Sequence, residues 1–104
     1  MFYRGRKDNN YTIMSNYHLR DRNLSFRGKG LLCVMLSLPD DWKFNKQYFY
    51  GISSDSRTST DKAFRELESL GYIKITKYRN ELGRFDYVYD IYEKPYFQNW
   101  NTVF

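Results

Sequence analysis

Thr58-Ser-Thr-Asp-Lys-Ala-Phe-Arg-Glu-Leu-Glu-Ser-Leu-Gly-Tyr-Ile-Lys-Ile-Thr-Lys-Tyr-Arg79 decides the fold, because the hydrophobic period changes within it from about 3.6 to two. Ala63, Phe64, Leu67 and Leu70 recur at helical spacing, and Gly71 supplies a C-terminal stop. Thr58 is placed to open this helix, with Asp61 at the capping-box position three residues on. After Gly71, Tyr72 to Arg79 and Arg84 to Glu93 are β-rich runs joined by Asn80-Glu-Leu-Gly83, a hairpin signal with a four-residue loop. That loop length sets Arg79 opposite Arg84, Lys77 opposite Asp86 and Ile75 opposite Val88. Ile73, Ile75 and Val88 then share the face toward the helices, and Tyr72, Tyr78, Phe85, Tyr87, Tyr89 and Ile91 share the other.

Upstream, Ser25 is an N-cap for a helix from Phe26 to Leu38, stopped by Pro39. Leu31 to Leu38 is apolar nearly all round, which predicts a central helix buried on most faces; Gly28 and Gly30 inside it suggest close backbone packing. Pro39 to Trp42 is a turn, and Asn45 caps a short helix from Lys46 to about Tyr50 that ends at Gly51. The polar run 53–56 separates it from the third helix, and Asn10 to Met14 alternates as a brief strand would. The resulting order of strand, three helices and hairpin is an α+β layout, that of a winged helix: a helix-turn-helix followed by a β-hairpin wing. It divides the chain into a basic segment (1–9), the winged-helix domain (10–94) and an aromatic tail (95–104).

The 104 residues suffice for one core, and 20% of them are aromatic, far too many for a disordered chain. The lone Cys33 forms no internal disulfide, and one Cys with one His18 excludes a four-ligand structural zinc. Gly28-Lys-Gly30 matches neither a Walker-A nor a dinucleotide fingerprint. Cys33 is expected as a small buried hydrophobe and His18 as a surface or capping residue. No enzymatic activity, cofactor or metal is expected. With no apolar run of membrane length and no apolar stretch at the N-terminus, no membrane partner is expected, and a reducing cytoplasm is.

The net charge is +5, and residues 1–30 carry all of the excess, with seven Lys or Arg against two Asp. A basic segment on a folded domain points to an anionic partner, nucleic acid above all. In a winged helix the third helix enters the major groove. Its candidate DNA-binding residues are Ser56, Arg57, Thr58, Ser59, Thr60, Lys62 and Arg65, although Asp61, Glu66 and Glu68 make this helix neutral overall. Lys74, Lys77, Arg79 and Arg84 are candidate wing contacts; Arg20, Arg22, Arg27 and Lys29 are candidate backbone anchors at the first helix. The ring-bearing face of the hairpin is a candidate interface (Tyr72, Tyr78, Phe85, Tyr87, Tyr89 and Trp100), covered either by a second copy or by the tail folding back with Tyr96, Phe97, Trp100 and Phe104.

From about Tyr11 to Pro95 the chain also resembles a known family, the N-terminal winged-helix domain of the DnaD-like, helix-turn-helix replication organisers of Gram-positive bacteria and their phages and plasmids. The carrying residues are Leu19-Arg-Asp-Arg-Asn-Leu-Ser25, Lys29-Gly-Leu-Leu32, Leu36-Ser-Leu-Pro-Asp-Asp-Trp42, Ala63 to Ile73, Gly83-Arg-Phe85 and Tyr89-Asp-Ile-Tyr-Glu93. The resemblance implies a winged-helix fold and a role on double-stranded DNA in replication initiation or transcriptional regulation. A homodimer and other replication proteins are further candidate partners. It also implies either an excised domain or a stand-alone phage-type protein. The rival reading is a protein-interaction or dimerisation module with little affinity for DNA.

Overall fold

Ser56, not Thr58, opens the long helix. In the computed structural model, which describes residues 10–97, the Ser56 hydroxyl accepts from the Ser59 backbone N–H at 3.1 Å, and helix α3 runs from Arg57 to Leu70. The serine two residues earlier wins because its own backbone is extended, as a capping residue's must be. Thr60 consequently sits inside the helix, buried, with its hydroxyl donating back to the Ser56 carbonyl at 3.1 Å. At the other end Gly71 takes φ 85, and its N–H closes on the Glu68 carbonyl. A side chain there would strike the Phe97 ring, so glycine is required both for its backbone and for its lack of bulk.

Helix α1 runs from Phe26 to Leu36, with Ser25 as its cap. It ends two residues short of the expected Leu38 because the residue before Pro39 is driven out of helical geometry. The Ser37 and Leu38 N–H groups tighten onto the Val34 and Met35 carbonyls instead. The helix is also less enclosed than its composition suggests. Leu32 and Met35 are buried, but Phe26 is 90% exposed and Val34 is exposed too. Gly28 does mark a close approach, where an added Cβ would meet Glu66 and Leu24 at 2.8 Å, whereas Gly30 faces open space. Asn45 caps the short α2 (Lys46–Gly51) through Tyr48 N–H at 3.0 Å.

The core is one cluster in which α1, α2 and α3 and the foot of the hairpin meet: Leu24, Leu32, Met35, Phe49, Phe64, Leu67, Tyr72 and Ile73. Phe49 stands edge-on to Phe64 (centroids 5.6 Å) and stacks on Phe44 (5.9 Å), which in turn meets Tyr89. Tyr72 is wholly buried, with its hydroxyl donating to Asp21 at 2.5 Å.

Strands β1 (Ile73–Arg79) and β2 (Phe85–Ile91) form an antiparallel two-stranded sheet, so the chain is an α+β, winged-helix-like arrangement of three helices and a hairpin. The pairing is shifted by one residue from the expected one: Arg79 faces Phe85, Lys77 faces Tyr87 and Ile75 faces Tyr89. The Asn80 side chain causes this. Its carbonyl oxygen accepts from Leu82 and Arg84 N–H at 3.0 and 3.1 Å, Asn80 N–H pairs with the Arg84 carbonyl, and left-handed Gly83 (φ 74) completes a five-residue connection. A one-residue shift exchanges the faces of β2 relative to β1. Phe85, Tyr87, Tyr89 and Ile91 therefore lie on the Ile73 and Ile75 side, and Val88 lies on the opposite side with Tyr78.

The expected strand at 10–14 is not formed. The segment pairs with neither edge of the hairpin, Ile13 is 84% exposed, and Asn10 has φ 55. Pro95 is buried and Tyr96 N–H donates to the Gly71 carbonyl at 2.9 Å, so the chain to Phe97 packs with the domain, beyond the expected boundary at 94. The basic segment 1–9 and the tail residues Trp100 and Phe104 lie outside the described residues.

Candidate nucleic-acid interface

Burial of Thr60, Ala63, Phe64 and Leu67 fixes how α3 is turned. At 3.6 residues per turn the opposite side carries Thr58, Lys62, Arg65 and Ser69, all exposed. That line holds two cations and no carboxylate. Two of the three acids of the helix are engaged elsewhere. Glu66 turns toward α1, where its carboxylate accepts from the Ser25 N–H and, at 2.8 Å, from the Ser25 hydroxyl. Asp61 turns toward α2 and accepts from the Tyr50 hydroxyl, which holds that phenol's pKa above its ordinary value. Glu68 lies on the flank toward Tyr89; burial, and then the Glu68 charge, push the Tyr89 pKa up. Neutral overall, α3 is cationic along the exposed line from Thr58 to Ser69, with the exposed Glu68 on its flank.

Arg57 extends that surface at the start of the helix, its guanidinium 4.7 Å over the Tyr50 ring. Of the expected base-reading residues, Arg57, Thr58, Lys62 and Arg65 are exposed. Thr60 is corrected to a buried helix residue, and the Ser56 hydroxyl serves as the cap. Ser59 is half-buried.

The wing cations divide between two faces. Lys77 and Arg79 share one face with Phe85, with Lys77 Nζ 3.9 Å and Arg79 Cζ 4.6 Å from its ring centroid; Arg79 also donates to the Gly83 carbonyl at 3.1 Å. Lys74 lies on the other face, opposite Asp90, with its ammonium over Tyr96. Arg84 is exposed in the connecting loop. The expected Lys77–Asp86 pair is replaced by Lys43 on Asp86 at 3.8 Å. The Asp86 carboxyl is held below its ordinary pKa, first by the Tyr87 N–H and also by Lys43.

At the first helix, Arg20 and Arg22 are exposed, Lys29 lies 5.6 Å over Phe26, and Arg27 reaches Asp55 at 3.9 Å. That contact sets the first turn of α1 beside the turn that leads into α3. Of the expected interface residues, Tyr72 is corrected to a core residue, since it is fully buried. Tyr78 stands on the face opposite Phe85, Tyr87 and Tyr89, because of the shifted register. Trp100 is outside the described residues.

His18 is buried, not superficial, and its Nε2 lies 3.6 Å from Cys33 Sγ. Burial lowers the imidazole's pKa and raises the thiol's. A thiol shifted upward is a poor nucleophile at neutral pH. Among the described residues no three His, Cys, Asp or Glu side chains gather as a metal ion would require, and no helix is long and apolar enough to cross a membrane.

The sequence did not reveal which acids would turn away from the solvent side of α3. Glu66 and Ser25 are 41 positions apart, and no local signal couples them. No protein family, no curated protein and no solved structure matches this chain.

Proposed function

We propose that this protein binds double-stranded DNA through the exposed side of α3, in replication initiation or transcriptional control of a phage or mobile element and within a bacterial cytoplasm. The observation that carries the reading is the line Thr58, Lys62, Arg65 and Ser69, which holds two cations and no carboxylate, with Glu66 and Asp61 engaged on other elements. In this mechanism α3 enters the major groove. Arg57 and Lys62 reach guanine edges, and the Thr58 hydroxyl serves any of several bases. Lys77, Arg79 and Arg84 take phosphates from the wing, while Arg20, Arg22, Arg27 and Lys29 take them beside α1. Other replication proteins are the further partners this reading implies.

Fluorescence anisotropy of a labelled random duplex, titrated at two salt concentrations, tests it. With four to six of these seven cations at phosphates, the slope of log affinity against log salt is about −4 to −5. Absence of binding at low salt contradicts the proposal.

A second reading, a protein-interaction module, draws on the exposed Phe26 ring. It borders a cavity of about 310 Å³ lined by Leu31, Val34, Phe49 and Ile52. That reading predicts an assembly that survives high salt and is indifferent to charge reversal at Arg57, Lys62, Lys77 and Arg79.

A further inference from the structure

The shifted register has gathered a row of rings and cations on one side of the wing. Phe85, Tyr87 and Tyr89 alternate along β2 on a single face, about 7 Å from one to the next at the rise of a strand. Across from them β1 contributes Ile75, Lys77 and Arg79 to the same face. Phe85 is 54% and Tyr87 47% exposed, and two cations rest against the Phe85 ring. At the inner end, Asn45, Lys46 and Gln47 of the α2 entry face Ile75, Tyr87 and Tyr89 across a cleft of about 340 Å³, within the range of small-molecule sites. The strand carboxylates Asp86 and Asp90 belong to the opposite face; Glu81 lies exposed in the connecting loop and Glu68 lies toward Tyr89.

The chemistry of this face selects its occupant. In a two-fold pairing of copies a patch meets itself, so the face carrying Lys77 and Arg79 would be set against another of the same charge. A duplex keeps the faces of its bases stacked inside, out of reach of a ring row. An unpaired strand presents what the face lacks: flat π surfaces at regular intervals joined by anionic phosphates.

We propose that this face binds an unpaired polynucleotide strand. Phe85 and Tyr87 stack on successive bases, Lys77 and Arg79 hold the phosphates, and the cleft beside Gln47 receives the base nearest Tyr89. Single-strand binding goes beyond the duplex reading and depends on rings that the duplex reading does not use.

The test is anisotropy of a labelled oligothymidylate, which forms no duplex, run beside a labelled random duplex and an inorganic polyphosphate competitor. Expected are oligothymidylate binding that equal charge of polyphosphate displaces poorly and a loss of about tenfold or more in the F85A/Y87A double variant, with duplex affinity kept within about twofold. The single variant F85L, which keeps bulk but loses the ring, loses affinity in the same direction and serves should the double variant melt early. Three results overturn the proposal: polyphosphate competing as well as oligothymidylate itself, folded F85L and F85A/Y87A binding oligothymidylate like wild type, or F85A/Y87A breaking a dimer with oligothymidylate affinity unchanged. Because the duplex is measured separately, its failure to bind leaves the single-strand result readable.

Discussion

Glu66, in the middle of α3, holds the entry of α1 through Ser25, whose backbone N–H and hydroxyl both donate to its carboxylate. The same hydroxyl accepts from Gly28 N–H at 3.0 Å, so one carboxylate organises a helix cap and a helix–helix contact together. Glu66→Ala is expected to lower unfolding free energy by about 1.5–3 kcal/mol, the range for hydrogen bonds to a charged group. Urea denaturation checks it, and an unchanged midpoint contradicts the role given to Glu66.

The two glycines of α1 are expected to respond in opposite directions to alanine. In an open helical position Gly→Ala gains up to about 1 kcal/mol. Gly30 has nothing within 4 Å of an added Cβ, so Gly30→Ala is expected to stabilise. Gly28→Ala would place that Cβ 2.8 Å from both the Glu66 carboxylate and Leu24, and it is expected to destabilise despite the gain in propensity. Parallel thermal melts of the two variants measure the signs directly.

His18 makes stability depend on pH. Its folded pKa is lowered from 6.5, first by burial, with Lys29 adding to the shift and the Glu93 charge and backbone carbonyl opposing it. The unfolded chain therefore binds a proton that the native state refuses. The stabilisation is fully present above the unfolded pKa and is lost as pH falls below 6.5 toward the folded value. Urea midpoints of wild type are expected to drop between about pH 7.5 and about pH 5.5, and His18→Leu to flatten that drop. Equal slopes for the two proteins contradict this assignment.

How much of this was legible in the sequence depended on the range of the interactions. Helix α3, its Gly71 stop and the strands of the hairpin follow from apolar spacing and a glycine, signals confined to a few neighbouring residues. The pairing register did not, because it turns on the Asn80 side chain accepting two backbone N–H groups; a count of loop residues misses that, and it moved Phe85, Tyr87 and Tyr89 to the other face. Alternation at 10–14 gave a strand signal, but the segment pairs with neither strand of the hairpin. Candidate cations on α3 were legible as residue types. Their usefulness rests on Glu66 reaching Ser25 and Asp61 reaching Tyr50, contacts across the fold that no local pattern announces.

The duplex-binding claim stands most directly on Lys62 and Arg65, exposed and on one line of α3. The decisive measurement is the salt-dependent affinity of K62E/R65E for a random duplex, with its urea midpoint as the control for folding. The account predicts binding weakened by about tenfold or more and a shallower log–log salt slope, at an unchanged midpoint. A folded variant that binds duplex with wild-type affinity and wild-type slope would contradict it.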